Sequence, residues 1–263
     1  MARPVVALLT DFGSRDHYAG TMKGVVLGIC PEASLVDLTH EVPAHDVLAA
    51  ALELGAAYKY FPAGTVFLVV VDPGVGSHRR GLAVEAGDYK FVAPDNGVLE
   101  AVLRETPAKA IVELSERKYA LASVSRTFEG RDRFAPAAGH LAAGVGLLRL
   151  GRRVSDPVRL ALPAPEVGPD RIGGVVVRVD RFGNLITNID RPTFERFAAA
   201  GGLALTIAGR EVPRVVMAYA EAGPDELCAL FGSSDHLEVA VNGGRAAAAL
   251  GVGRGAPVEV LRR

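Results

Sequence analysis

Apolar runs alternate with helix-length segments in the first third of the chain, and this order limits the possible folds more than any other feature. The runs at 4–9, 34–40 and 69–71 have the residue types of β-strands. Between them, 18–30 carries apolar residues at helical spacing, and 45–60 is rich in alanine. Because parallel strands need crossover connections, usually helices, this order predicts an α/β domain with a mainly parallel sheet.

The following segments extend this domain to about residue 150. The runs 81–85 and 89–92 predict two strands joined at the turn Gly87-Asp88, and 110–114 predicts another strand. Helices are predicted over 98–105 and 134–141. From 155 to 174, prolines and glycines interrupt every regular pattern. We therefore divide the chain into an α/β domain (1–160), a linker (161–172) and a C-terminal domain (173–263).

The C-terminal domain is predicted to be smaller and rich in β-structure. Its apolar runs are short and separated by glycine-rich turns, and one capped helix is predicted within 190–201. The predicted strands lie at 175–179, 203–208, 212–218, 237–241 and 258–261. Short strands of this kind favour a small β-barrel or a β-sandwich.

Composition narrows the possible partners. A formal net charge of −1 over 263 residues provides no electrostatic footprint for nucleic acid. No apolar span approaches the roughly 18 residues of a membrane-crossing helix, and the run 5–9 is too short for the apolar region of a signal peptide. Cys30 and Cys228 have neither metal-ligand spacing nor a disulfide framework. We therefore expect a cytoplasmic protein without nucleic-acid or membrane partners.

The turn that follows Val71 is the strongest candidate for a functional site. Asp72 ends a β-branched run, and the carboxyl ends of strands in α/β sheets are where sites usually lie. Pro73, Gly74 and Gly76 favour a tight turn, and Arg79 is close enough in sequence to hold the carboxylate or an anion. The alternative is an ordinary turn with a solvated aspartate and a surface arginine.

Other polar residues repeat the same placement at strand ends beside glycine. A carboxylate accepts hydrogen bonds from the two hydroxyls of a ribose, and an asparagine suits an adenine edge. Each residue alone is also typical of an ordinary turn, so their recurrence carries the functional interpretation. Together with Asp72, these residues are Asp11, Asp95, Asp180 and Asn184.

A metal site is an open alternative because three histidines lie near three aspartates. Their spacing matches no diagnostic ligand pattern, and capping or solvated turns explain these residues better than a metal site does. A phosphate-binding loop and a serine-hydrolase elbow are both missing from the sequence. The histidine and aspartate pairs are His17 with Asp16, His40 with Asp37, and His45 with Asp46.

Taken together, five ordered motifs resemble the S-adenosylmethionine (SAM) hydroxide adenosyltransferases, relatives of the bacterial fluorinase and chlorinase. The resemblance runs from near residue 5 to the C-terminal strands and includes Asn242-Gly243. The motifs are Thr10-Asp11-Phe12-Gly13 with Met22-Lys23-Gly24, Val71-Asp72-Pro73-Gly74-Val75-Gly76 with Arg79, Ala93-Pro94-Asp95-Asn96-Gly97, Phe134-Ala135-Pro136-Ala137-Ala138, and Asp180-Arg181-Phe182-Gly183-Asn184 with Thr187-Asn188-Ile189.

The resemblance implies hydrolysis of SAM to adenosine and L-methionine by a homotrimer whose sites lie between subunits, without a metal or other cofactor. Asp72 and Arg79 correspond to members of a water-holding set, and Asp11 to the residue that holds the ribose hydroxyls. The remaining residues implied to bind substrate are Asp180 at the methionine amino group, Asn184 at the adenine, Ser233 and Ser234 at the methionine carboxylate, and Phe182 and Gly243 within matching motifs.

Glu129 is where this chain departs from the family pattern. The usual segment reads Thr-Phe-His-Gly-Arg-Asp, whereas this chain reads Thr127-Phe128-Glu129-Gly130-Arg131-Asp132. One of the two carboxyl groups beside the shared arginine could be protonated and donate to, or exchange a proton with, the water, or Glu129 could form a simple ion pair with Arg79. We include it among the catalytic residues. The leading hypothesis is a SAM hydrolase, and the alternatives are a non-catalytic SAM or adenosine binder and a metal-dependent hydrolase.

Overall fold

The computed structural model describes residues 3–199 and 201–263. The chain divides into two compact units, Met1–Leu162 and Pro163–Arg263. No helix in the described part of the chain combines the length and the hydropathy needed to cross a membrane. Both cysteines are free thiols and are buried.

The first unit is an α/β domain built on a six-stranded mixed sheet with strand order β2-β1-β3-β5-β4-β6. The pairs β1–β2, β1–β3 and β3–β5 are parallel, whereas β4 is antiparallel to β5 and β6. The predicted α/β class and hairpin at Gly87-Asp88 are confirmed. The elements are β1 Val5–Thr10, α1 Tyr18–Ile29, β2 Ser34–Thr39, α2 Val47–Ala57, β3 Val66–Val70, β4 Gly81–Ala86, β5 Tyr89–Pro94, α3 Glu100–Glu105, β6 Ala108–Glu113 and α4 Ala135–Ala142.

The central strand β3 is buried on both faces, which explains its uninterrupted apolar sequence. Alternate side chains of a strand point to opposite faces, so Leu68 and Val70 join one core while Phe67, Val69 and Val71 join the other. Helices α1 and α4 contribute to the first core, and α2 and α3 to the second. Asp72 lies two residues beyond the end of this buried strand.

The second unit is β-rich and barrel-like, in agreement with the predicted class. Its antiparallel path is β11-β10-β14-β8-β9-β13-β12, and β7 pairs with β8. One core cluster combines apolar residues from these strands with Phe194 and Phe197 of α5. The elements are β7 Glu166–Val167, β8 Arg171–Val179, β9 Leu185–Asp190, α5 Arg191–Ala198, β10 Leu203–Ile207, β11 Arg210–Val212, β12 Leu227–Phe231, β13 His236–Val241, α6 Ala246–Leu250 and β14 Pro257–Arg262.

Several predicted boundaries in the second unit were wrong. The strand predicted over 212–218 ends at Val212, because Pro213 has no N–H with which to continue a ladder. Beyond it, Val215 forms only an isolated bridge to Ala229. Strands β9 and β12 were not predicted, and β9 contains the buried polar residue Thr187, which conceals its apolar pattern. The predicted helix cap is confirmed, since Asp190 accepts a hydrogen bond from the Thr193 backbone N–H at 2.7 Å.

Candidate active site

A tight turn after β3 connects Asp72 to Arg79. The Val75 N–H donates to the Asp72 carbonyl at 3.2 Å, and the Ser77 N–H donates to the Gly74 carbonyl at 3.1 Å. Gly76 has a φ of +77°, and a Cβ at this position would lie 2.5 Å from the Arg126 carbonyl oxygen. A larger residue would therefore displace the turn or its neighbour.

Asp72 and Arg79 form a buried ion pair. Arg79 Nε donates to Asp72 Oδ1 at 2.8 Å and to Oδ2 at 3.0 Å, and Nη2 also donates to Oδ2. The two side chains are only 6% and 9% exposed. Burial lowers the pKa of the Arg79 guanidinium, but the hydrogen bonds and charges of Asp72 and Glu129 outweigh this effect and raise it. Arg79 is therefore a permanent cation at this site.

Glu129 joins the same pair from a different part of the chain. It directly precedes a π-helical turn, Gly130–Phe134, which leads into α4. Glu129 Oε2 accepts a hydrogen bond from Arg79 Nη2 at 2.5 Å, and its Oε1 accepts one from Arg133 Nη1 at 3.2 Å. The expected contact between Glu129 and Arg79 is thus present in the structure, together with a second arginine that the sequence analysis did not identify.

A cavity of about 470 Å³ in the first unit lies beside these carboxylates. Asp11, Asp72 and Glu129 all line it. Asp11 Oδ2 accepts the His45 backbone N–H at 2.8 Å, which fixes that carboxylate at the end of β1. Aromatic rings of Phe12, Tyr18 and Phe128 pack together at centroid distances of 5.1–5.9 Å and also line the cavity. The cavity combines carboxylates with an apolar aromatic wall.

The second unit has a separate cavity of about 820 Å³. Asp180 accepts hydrogen bonds from Asn184, through Oδ1 from the backbone N–H at 2.8 Å and through Oδ2 from Nδ2 at 3.1 Å. Asn184 Nδ2 also donates to the Tyr219 hydroxyl at 3.2 Å. All the predicted binding residues of this unit line the cavity: Asp180, Phe182, Asn184, Ser233, Ser234 and Gly243.

Glu238 and Tyr219 are cavity residues that the sequence analysis missed. Glu238 is 6% exposed, and the Tyr219 hydroxyl donates a hydrogen bond to its carboxylate. Burial raises the pKa of the Glu238 carboxyl; the hydrogen bond from Tyr219 opposes this effect, and the nearby charge of Asp180 adds to it. A signal was available, because Glu238 is a charged residue inside the apolar strand β13.

We expect the Glu238→Gln variant to be more stable than the wild type at pH 8, by about 1 kcal/mol, a usual size for a single-site change. A carboxyl group whose pKa is raised by folding stabilises the protein while it is protonated, and this contribution is lost as the pH rises through the folded pKa. Glutamine keeps an acceptor for Tyr219 without the buried charge. Urea unfolding at several pH values should therefore show a difference that disappears near pH 4. An equal gain at every pH would contradict this explanation.

Several other candidates lie outside these cavities or have local partners. Asp95 is buried and accepts hydrogen bonds from Arg80 Nε at 2.7 Å and from the Val158 N–H at 2.8 Å, so its contacts are structural. His40 lies 2.9 Å from the Thr10 hydroxyl and 3.0 Å from Asp37. Within residues 3–199 and 201–263, no three His, Cys, Asp or Glu side chains converge as a metal site would require.

Comparison with known proteins assigns the chain to a family. The profile described as the SAM hydroxide adenosyltransferase N-terminal domain matches residues 6–151, and the corresponding C-terminal profile matches 174–259. The chain belongs to the SAM hydroxide adenosyltransferase family. The resemblance seen in the five motifs is therefore confirmed.

Relatives of this chain include proteins named as hydrolases and proteins named as fluorinases. An (R)-S-adenosyl-L-methionine hydrolase from Salinispora tropica is 39% identical over 266 residues, covering 98% of this chain and 97% of the relative. A fluorinase from an Actinoplanes species is 33% identical over 220 residues, covering 73% of this chain and 74% of the relative. A crystal structure of a conserved Thermotoga maritima protein has a TM-score of 0.93 and 38% identity, covering 98% of this chain and 100% of the other.

Proposed function

We propose that this protein hydrolyses SAM to adenosine and L-methionine. The observation that carries the proposal is the buried Asp72–Arg79 pair, whose carboxylate faces a cavity also lined by Asp11. The similarity to a named SAM hydrolase over 98% of the chain supports the same conclusion.

The chemistry requires a water molecule placed in line with the bond from C5′ to sulfur. The water oxygen forms a bond to C5′ while the C5′–S bond breaks. The electron pair of the breaking bond goes to sulfur and gives the neutral thioether of methionine. Asp72 accepts the proton that the water loses, and Arg79 fixes that carboxylate. Because the sulfonium is already a good leaving group, positioning provides much of the rate enhancement, and no cofactor is part of the proposal.

The substrate-binding roles rest on the types of side chain that line each cavity. Asp11 suits the ribose hydroxyls, because its carboxylate is held at the rim of the first cavity. In the second cavity, the Asn184 amide nitrogen already donates to Asp180 and Tyr219, which leaves its oxygen to accept from the adenine amino group. Asp180 and Glu238 suit the methionine ammonium group, and the hydroxyls of Ser233 and Ser234 its carboxylate.

Halide transfer is disfavoured by the same geometry. The Asp72 carboxylate lines the cavity where a nucleophile would bind, and like charges at close range repel. We therefore propose water rather than chloride or fluoride as the nucleophile, although three relatives are named fluorinases.

We also propose that the protein forms a homotrimer with sites between subunits and works in the cytoplasm. Support for assembly comes from Phe182 and Met217, which border the second cavity and are 72% and 90% exposed. The two free cysteines agree with a reducing compartment. Light scattering should give the mass of three chains, and an active monomer would contradict this proposal.

Incubation of the protein with SAM tests the proposed reaction. We expect adenosine and L-methionine in equal amounts, with no chlorinated nucleoside when chloride is added and no loss of rate with a chelator. Both sulfonium epimers should be supplied, since the relative's name specifies the (R) form. Absence of turnover with either epimer would overturn the proposed function.

A non-catalytic SAM or adenosine binder is the second candidate, because both oxygens of Glu129 are already bound by arginines. Calorimetry distinguishes it from the hydrolase. Tight binding of SAM without product would favour the binder, and turnover that appears only in the Glu129→His variant would show that Glu129 disables the site.

A further inference from the structure

Arg133 provides the second positive charge in the buried cluster around Asp72. Its Nη1 donates to Glu129 Oε1 at 3.2 Å, and its Nη2 donates to the Leu114 carbonyl at 2.7 Å. The Leu114 contact anchors the guanidinium to the backbone just beyond β6. Arg133 is therefore held in place by a backbone group as well as by Glu129.

Without Arg133, the cluster would contain two carboxylates and only one guanidinium. The Asp72 and Glu129 side chains are 6% and 12% exposed, so water can offset little of the excess negative charge. With Arg133, the charges alternate along the chain of contacts Asp72, Arg79, Glu129 and Arg133 and sum to zero. This balance compensates the charges of both buried carboxylates.

Other charged groups near the cavity do not duplicate this role in the structure. Arg131 donates to Asp132 at 2.6 and 3.0 Å, so its guanidinium already has an acidic partner. The remaining titratable groups that line the cavity are Asp11, His17, Tyr18 and His45. Among the described residues, only Arg79 and Arg133 form ion pairs with Glu129.

We propose that Arg133 is a positioning residue, which neutralises and orients Glu129 so that Arg79 is shared between Glu129 and Asp72. Arg79 Nη2 donates to both carboxylates, and its hydrogen bond to Glu129 weakens its hydrogen bond to Asp72. Asp72 thereby keeps its ability to accept a proton from water. This inference rests on the proposed hydrolase function, and Arg133 acts through Glu129 and Arg79 without contacting substrate.

The Arg133→Met variant is expected to lower kcat about tenfold while changing KM by less than twofold. With one cation lost, a carboxylate of the cluster should take up a proton at higher pH, so the acidic limb of the kcat profile should move upward. Arg133→Lys should restore most of the rate, because it retains the charge. The matched control is Arg152→Met, which breaks the exposed pair with Glu113 and should leave kcat unchanged.

The double variant Glu129→Gln with Arg133→Met separates positioning from general structural support. If Arg133 acts through Glu129, adding Arg133→Met to Glu129→Gln should change neither kcat nor its pH profile further. An equal loss in both backgrounds, or a wild-type profile in the single variant, would overturn the inference.

A second measurement keeps this test independent of turnover. Carbon-13 NMR of glutamate-labelled protein follows the Glu129 carboxyl directly, and the Glu129→Gln variant identifies its signal. We expect its midpoint to rise in Arg133→Met, because a neighbouring cation favours the charged form of a carboxyl group. An unchanged midpoint would refute the inference. A wild-type protein that makes no adenosine would refute the proposed reaction, while the NMR comparison would still decide the role of Arg133.

Discussion

The Asp72→Asn variant should lose SAM hydrolysis by about 100- to 10,000-fold in kcat, the range that a general base usually contributes. Asparagine has nearly the same shape, so the turn after β3 can persist. However, its amide cannot accept the proton released by water, and one of its two oxygens is replaced by a donor that faces Arg79. Release of adenosine under single-turnover conditions measures the effect on the chemical step.

Asp88→Asn is the matched control for this substitution. Asp88 is an exposed aspartate in the hairpin turn of the same unit, so its replacement makes the same chemical change outside the proposed site. We expect wild-type kcat and KM in this variant. Undiminished hydrolysis by Asp72→Asn would refute the role of Asp72 as the proton acceptor.

The Arg79→Met variant should have the largest effect on stability, a loss of about 3–5 kcal/mol in the free energy of unfolding at pH 7. Arg79 donates to both Asp72 and Glu129, and its removal leaves the buried Asp72 carboxylate without the Arg79 cation while Glu129 keeps its contact with Arg133. Hydrolysis should also fall below detection, because Asp72 is no longer fixed. Denaturant unfolding followed by circular dichroism measures the stability loss.

The pH dependence of that loss tests its electrostatic origin. Protonation of a carboxylate removes the excess negative charge that the loss of Arg79 leaves in this cluster, so the difference from the wild type should shrink as the pH falls from 7 towards 4. Adding Glu129→Gln to Arg79→Met should recover part of the stability at pH 7 without restoring hydrolysis. A loss of constant size across this pH range would indicate missing packing against Phe134, whose ring centroid lies 5.0 Å from the Arg79 guanidinium carbon.

Much of the first unit could be predicted because its signals are local. Buried β3 shows an unbroken apolar run, and α1 ends before Pro31 as its pattern indicates. The second unit was harder, because its strands are short and β9 contains buried polar residues that hydrogen-bond within the domain. One of these is Asn188, whose side chain accepts from the Val175 N–H at 2.8 Å.

The candidate site could also be predicted only in part from the sequence. Strand-end position identified Asp72 and Asp11, and the same rule also selected Asp95, whose contacts to Arg80 and Val158 are structural. Position along the chain cannot distinguish these outcomes, because the partner of each carboxylate lies on a different segment. Glu129 and Arg133 are four residues apart in the sequence. The importance of their contact nevertheless depends on Arg79, which lies 50 residues away from Glu129.

The sharing of Arg79 between two carboxylates also has an evolutionary consequence. Replacing Asp72 alone, as a change towards halide use would require, leaves Arg79 and Arg133 facing the single carboxylate of Glu129. Replacing Glu129 alone leaves Arg133 without its acidic partner in this cluster. Each single substitution leaves an unbalanced buried charge, so the effect of a substitution at one of these positions depends on the residues at the others. A new nucleophile specificity is therefore expected to arise through coordinated substitutions, with strong epistasis among these positions.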